Sequence, residues 1–237
     1  MQRLNSFLSI TGLFISLLCF GCTEVPIVNE FDKKAVKAVS DHYGGYLVSM
    51  KKKVSTIESE SLRYWLDFQD FDMNQLHKAP DMCAAVSAWE FFSALGDKSR
   101  EVKEINVSYL FNGEKREFTP NLELIQLACS MNPRLAEIDS FFRTENYDAF
   151  AGMFSAKAIK ENEKKSFKEY LTDLDKKHGK VEKQFIAGVD FVHPKQDTTK
   201  ILVRFIANHK RGPNYHSANI VFDPYEALTP IVSVSTK

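Results

Sequence analysis

The chain has 237 residues, 44% hydrophobic, 12% aromatic and 26% charged, with 31 Lys+Arg against 31 Asp+Glu. That balance excludes a disordered tail and a fibre, and four cysteines are too few for a disulfide scaffold. Zero net charge leaves no electrostatic case for a nucleic-acid partner or for a membrane held by charge alone. The length allows one large domain or two small ones, each able to bury a core.

Met1-Gln2-Arg3 carries one basic side chain, and the run from Leu4 to Phe20 has no charge while being dense in Leu, Ile and Phe. This is the layout of a secretory signal, expected over residues 1–21. A spanning helix needs about 20 predominantly apolar residues, and Asn5, Ser6, Ser9, Thr11 and Ser16 interrupt this run. Its end, Leu18-Cys19-Phe20-Gly21-Cys22, resembles the lipobox of bacterial lipoproteins, in which a small residue precedes the cysteine that receives diacylglyceryl. Gly21 and Cys22 match; Cys19 and Phe20 stand where that family prefers Leu and a small residue. The resemblance implies Cys22 as the lipid attachment site, a membrane partner reached through acyl chains, and a cell-envelope location. With Thr23 and not Asp after the cysteine, it implies the periplasmic face of an outer membrane where one exists. More than one acyl chain gives stable anchoring, since each buried methylene contributes about 0.8 kcal/mol. Cleavage takes away one Arg and no acid, so the mature chain stays within one charge of neutral.

Residues 22–30, with Pro26, read as a short tether. From 32 to 43, Ala35, Val36, Val39 and Tyr43 recur at helical spacing, and Gly44-Gly45 supplies a stop. Tyr46 to Val54 reads as a strand, and Leu62, Tyr64, Leu66 and Phe68 alternate with Arg63, Trp65 and Asp67 in a second. Asp81 is placed to cap a helix with Met82, Ala85, Val86, Trp89 and Phe92 on one face, ending at Gly96. Ile105 to Phe111 alternates as a third strand, and Asn112-Gly113 turns the chain back through Glu117 and Phe118. Thr119-Pro120 is expected to cap the next helix, which carries Leu122, Leu124, Ile125 and Ala128. This order predicts an α+β fold with mainly antiparallel strands over 31–131.

A boundary is expected at Asn132-Pro133, read as a cap with proline behind it. Two short helices follow, over Leu135–Phe142 and Tyr147–Phe154, and a longer one over Ile159–Lys177 with Phe167, Tyr170, Leu171 and Leu174 on one face, ended by Gly179. The period then changes to two. Strands are expected at Phe185–Phe191, Ile201–Ala207, Tyr215–Phe222 and Ile231–Ser235. Three helices followed by a four-stranded meander resembles the nuclear transport factor 2-like domains of small lipoproteins over 132–237. The resemblance implies a curved, cone-like antiparallel sheet closed by helices around a pocket. Asp223-Pro224-Tyr225-Glu226 stands where such domains often carry a Gly-Lys-Trp-type hairpin.

No phosphate-binding, dinucleotide-binding, zinc-protease, nucleophile-elbow or EF-hand motif is present, so no catalytic residue and no cofactor is assigned. Cys19-x-x-Cys22 lies in the apolar leader without a second ligand pair. Cys83 and Cys129 remain after processing; in an oxidising envelope a disulfide and two buried thiols stay open as alternatives. The best polar cluster is Asp190, His193, Arg204, His209, His216 and Asp223. Asp190 is weighed as a pocket base of the ketosteroid-isomerase kind against a solvated strand-end residue; its alternation against Val189 and Phe191 favours the second. His209 and His216 flank a turn, but closure around Lys210–Pro213 sets His209 opposite Asn214 and leaves no third ligand, so no metal is expected. Lys210-Arg211 reads as a solvated basic turn, and Lys51-Lys52-Lys53 as a protected sheet edge before a lipid-phosphate site. Trp65 is either packed under a helix or an exposed contact, and Trp89 is expected in the core. The expected function is a non-catalytic, membrane-anchored binding or interaction protein for a small apolar ligand or an envelope partner. The alternative is an enzyme using a polar group of the cone.

Overall fold

The computed structural model describes residues 23–25, 29–45, 48–55, 61–75, 79–195, 197–228 and 230–236. The leader and Cys22 lie outside them, as do the expected strand positions Tyr46 and Leu47. Among the described residues no helix is long and apolar enough to cross a membrane. The chain is α+β, with helices and two separate sheets.

The first sheet has five strands in sequential order: β1 (Thr23–Val25), β2 (Val48–Ser55), β3 (Ser61–Asp72), β4 (Val102–Phe111) and β5 (Glu114–Phe118). The expected tether therefore begins as a strand, with Thr23 opposite Val54 and Val25 opposite Lys52. That pairing puts β2 inside the sheet over its second half, so the edge reading of Lys51–Lys53 holds for only part of it. Lys52 turns inward, donating at 3.1 Å to the buried Asp32, which also accepts from the Tyr64 hydroxyl at 2.9 Å.

Strands β3 and β4 are parallel, unlike every other neighbouring pair in the sheet. A parallel pair needs a crossover, and α2 (Pro80–Leu95) supplies it. Leu62, Tyr64, Leu66 and Phe68 of β3 are buried together with Ile105, Val107 and Tyr109 of β4. The alternate positions Arg63, Trp65 and Asp67 form the other face. Trp65 there lines a shallow depression of about 80 Å³ with Lys51, Asn106 and Lys115, with no helix residue in its wall.

The helix α1 (Glu30–His42) starts where Asn29 accepts from the Asp32 amide at 2.7 Å, and it packs on α2. One apolar face was expected for α2. Instead Cys83 to Trp89 are buried without a break, followed by Phe91, Phe92 and Leu95. A helix apolar on all sides is buried on all sides. It is a central element touching α1, β4, α3 (Leu122–Cys129) and the second sheet. Its polar groups are satisfied locally: Ser87 hydrogen-bonds the Tyr109 hydroxyl, and Tyr43 and Tyr109 both donate to the Cys83 carbonyl at 3.1 Å.

The second half holds α4 (Asn132–Thr144), α5 (Tyr147–Gly152) and α6 (Glu161–His178), then β6 (Lys183–Val192), β7 (Leu202–Arg211), β8 (Asn214–Phe222) and β9 (Ile231–Thr236) in an antiparallel meander. Three expected caps shift. Asp81 already lies in the first turn of α2, which starts at Pro80 behind Ala79 without a side-chain cap. Asn121, not Thr119, accepts from the Leu124 amide at 3.2 Å. Asn132 is already helical; its side chain accepts from Trp89 Nε1 at 2.9 Å and donates to Ser93 at 3.0 Å, tying α4 to α2.

The boundary expected at 131/132 falls between α3 and α4. Buried side chains from Ala35 to Ile231 nevertheless form one cluster. The link is α2, which lies against β6, the edge strand of the second sheet, and so covers an edge that would otherwise offer unpaired backbone groups. Close approach explains Gly188: a Cβ there would lie 3.1 Å from Met82 Cε and 3.2 Å from Ile206 Cδ1. A bulge between Ile186 and Gly188 shifts the register at the same point.

Candidate functional site

Strand alternation builds the site. In β7 the positions Val203, Phe205, Ala207, His209 and Arg211 are buried while those between them are half-exposed. The β8 residues opposite them, His216, Ala218, Ile220 and Phe222, share that face. The helices α4, α5 and α6 cover it with Phe142, Phe150 and Phe167, whose rings form a chain with centroid separations of 5.0 and 5.8 Å. Leu171 and Leu174 complete the apolar wall of a cleft of about 210 Å³.

One end of this cleft is polar. Arg211 is 1% exposed, and its guanidinium pairs with Asp175 of α6 and donates to the Gly179 carbonyl at 2.8 Å. Asp175 also accepts from the Tyr147 hydroxyl of α5. Three elements thus meet on one carboxylate, the pairing a buried guanidinium requires. Burial raises the Tyr147 phenol above its ordinary range, with Arg211 opposing.

His209 and His216 face the same cleft, and they are direct cross-strand partners. The expected register fails because the hairpin is tighter. Arg211 pairs with Asn214 across a two-residue Gly212-Pro213 loop, with Gly212 at φ 55 in the first central position that a positive φ demands. His209 Nε2 donates to Gln184 Oε1 at 2.9 Å, and its ring lies 4.4 Å from Phe142. Burial pushes its imidazole down to about 4, with Asp139 opposing and His216 assisting. His216 packs against His178 at 4.5 Å and is also lowered, by burial and by the neighbouring His178 and Arg211. Both rings are therefore neutral at pH 7. No three His, Cys, Asp or Glu side chains among the described residues are arranged to hold a metal ion.

The remaining expected residues are dispersed. Asp190 pairs with Arg204 on the opposite face of the sheet and accepts from the Phe191 amide at 2.7 Å. His193 donates to the Lys200 carbonyl at 3.1 Å, and Asp223 pairs with Lys200. Lys210 pairs with Glu182 at 2.8 Å as a solvated turn residue should, whereas Arg211 is buried. The correction follows from alternation: Arg211 continues the series Phe205, Ala207, His209. Asp175, Tyr147, Gln184 and His178 carry no sequence motif.

Of the two alternatives open for Cys83 and Cys129, the structure has the free thiols. Cys129 Sγ sits 3.2 Å from Ser93 Oγ and 3.9 Å from the Trp89 carbonyl, about two to three helical turns along α2 from Cys83. A disulfide brings its Cα atoms to within about 6 Å, which that rise does not allow. Burial raises both thiols, to about 12 for Cys83 and about 11 for Cys129.

No family model matches the chain, and no curated protein matches it. Among solved structures it is similar to Bdellovibrio bacteriovorus Bd1075, with 8% identity over 79% of this chain and 67% of that one. The TM-score of 0.33 places that similarity below the level at which a shared fold follows from it.

Proposed function

We propose that this is a lipid-anchored envelope protein that binds a small, largely apolar molecule in the cleft of its second sheet, without catalysing a reaction on it. The cleft carries the reading. Its walls are Phe142, Phe150, Phe167, Leu171 and Leu174, and its volume of about 210 Å³ exceeds the roughly 150 Å³ apolar cavity that accepts benzene. The charged groups at its end, Arg211 and Asp175, are committed to each other, and His209 is held by Gln184. The four-stranded antiparallel meander preceded by three helices supports a nuclear transport factor 2-like reading of residues 132–237.

The anchor rests on the Gly21-Cys22 junction and the apolar run before it. Cys22→Ala should abolish palmitate labelling and leave an unprocessed precursor, and persistent label would remove the anchor from the proposal. Native mass spectrometry of the purified protein tests the cleft. An adduct of small mass that Leu171→Trp excludes supports binding, while a protein free of adducts that also takes up no added aromatic compound overturns it. A second reading, proton transfer within the cleft, is favoured by the convergence of His209 and His216. It would require an activity that His216→Gln removes while ligand binding persists.

A further inference from the structure

We infer that the cleft's ligand is a small carboxylic acid with an aromatic or branched apolar body, its carboxylate seated against Arg211 and His216. This rests on the reading of the cleft as a binding site and specifies its ligand. Two atoms carry it. Arg211 Nε and His216 Nε2 are buried nitrogens with no hydrogen-bond partner among the described residues, and both residues line the cleft.

An orphaned buried donor costs about 1–3 kcal/mol, more when it belongs to a charged group, so such atoms are normally satisfied by something. Here Arg211 gives Nη1 to Asp175 and to the Gly179 carbonyl, which leaves the Nε edge of the guanidinium unused. Arg211 and His216 project from neighbouring strands on one face, because Arg211 lies two residues beyond His209, the cross-strand partner of His216. The backbones of diagonal neighbours of this kind stand about 7–8 Å apart, close enough for both side chains to reach one carboxylate, whose two oxygens accept from both nitrogens. A neutral His216 with its proton on Nε2 donates, as does the guanidinium Nε–H, so the oxygens of an anion accept from both, whereas an ammonium has no lone pair to offer them. The size fits as well, since a benzene-sized body occupies about 150 Å³ and the cleft offers about 210 Å³.

The test is isothermal titration of the full chain in lipid nanodiscs, with empty nanodiscs as blank, using 3-phenylpropionate and its neutral amide, 3-phenylpropionamide. The expected result is that the carboxylate binds at least tenfold more tightly than the amide. That preference should fall to within threefold in His216→Ala, and also in Arg211→Lys, which keeps the charge on Asp175 but has no Nε–H. His216→Ala decides the outcome if Arg211→Lys does not fold. Equal affinity for acid and amide overturns the carboxylate assignment and leaves the apolar cleft standing. Absence of binding by either compound at millimolar concentration overturns both.

Discussion

Trp89, in the middle of α2, meets Phe205 of β7 edge to face, with ring centroids 5.7 Å apart and planes at 63°. The same indole donates to Asn132, the first residue of α4. One side chain thus joins the crossover helix of the first sheet to both the strands and the helices of the second half. Trp89→Ala should cost about 3–5 kcal/mol. Trp89→Phe, which keeps a ring against Phe205 but loses the Asn132 bond, should cost about 1 kcal/mol. Urea denaturation should show a single transition by circular dichroism and by the fluorescence of Trp65 and Trp89; separated transitions would show that the halves unfold independently.

Gly188 is the second contact point between the halves. An added Cβ meets Met82 Cε, the end of a flexible side chain, and Ile206 Cδ1. Gly188→Ala should therefore be tolerated at about 1 kcal/mol, and Gly188→Val should cost about 2–3 kcal/mol because both branches enter the packed space. The shift in urea midpoint at constant slope measures this.

Among the described residues Asp175 is the charged partner of Arg211, and both side chains are nearly fully buried, at 8% and 2% exposure. Asp175→Asn leaves a buried guanidinium without its counter-charge and should destabilise the protein by about 3–5 kcal/mol. The double variant Asp175→Leu, Arg211→Met should recover most of that loss. Thermal denaturation of the two variants beside the parent distinguishes a costly orphan charge from a strongly favourable pair.

His209 makes stability fall in acid. Its imidazole titrates at about 4 in the folded chain against an ordinary value of 6.5, so between these limits the unfolded chain binds the extra proton. Stability is unaffected above pH 7 and declines as the pH drops through 6.5 towards 4, by about 3 kcal/mol in all. His209→Gln should flatten that slope while lowering the plateau. Urea midpoints from pH 4.5 to 7.5 check it, and an unchanged slope in the variant would assign the acid sensitivity elsewhere.

Cys83 and Cys129 should react slowly with alkylating reagents at pH 8 in the folded chain, because burial holds both as thiols. On denaturation without reductant both should alkylate at once. A linked peptide pair in non-reducing mass spectrometry would contradict the placement of Cys129 beside Ser93 and Trp89, further along α2 than Cys83.

The elements themselves were legible. Apart from the brief strand β1 and two short 3-10 turns, each helix and strand described here follows from apolar periodicity or, for β5, from the Asn112-Gly113 turn before it, with ends displaced by a few residues. What periodicity cannot carry is partnership across long sequence separations. The alternation of β3 and β4 is the same for parallel and antiparallel neighbours, and a helix between two strands does not by itself make them neighbours, so the parallel pair became visible only in the structure. The even burial of α2 was half visible: Ala84, Ala85 and Ala88 fit any face, and only contact with two sheets decides that all faces are used. In the cleft, His209 and His216 were singled out but set two residues out of register, since four turn-forming residues disguise a two-residue loop. Arg211 was hidden by its own chemistry, because an arginine beside Lys210 and Gly212 reads as solvent-facing unless the alternation of β7 is carried through to its last residue. Asp175 lies among the charges of α6 and is distinguished only by what it touches.

The central position of α2 has a consequence for how the chain reaches this structure. The helix ends at Leu95, and its partner strand β6 begins at Lys183, roughly 90 residues later. During synthesis the first sheet, α1 and α2 can assemble by themselves, yet the flank of α2 bearing Met82 and Trp89 must stay uncovered until β6 and β7 have emerged. Such late, non-local closure slows folding and keeps apolar surface open to other chains. The last step of folding is then the seating of a completed meander on a waiting helix, so a chain cut short before β6 should be captured by chaperones or aggregate even though its own sheet is complete.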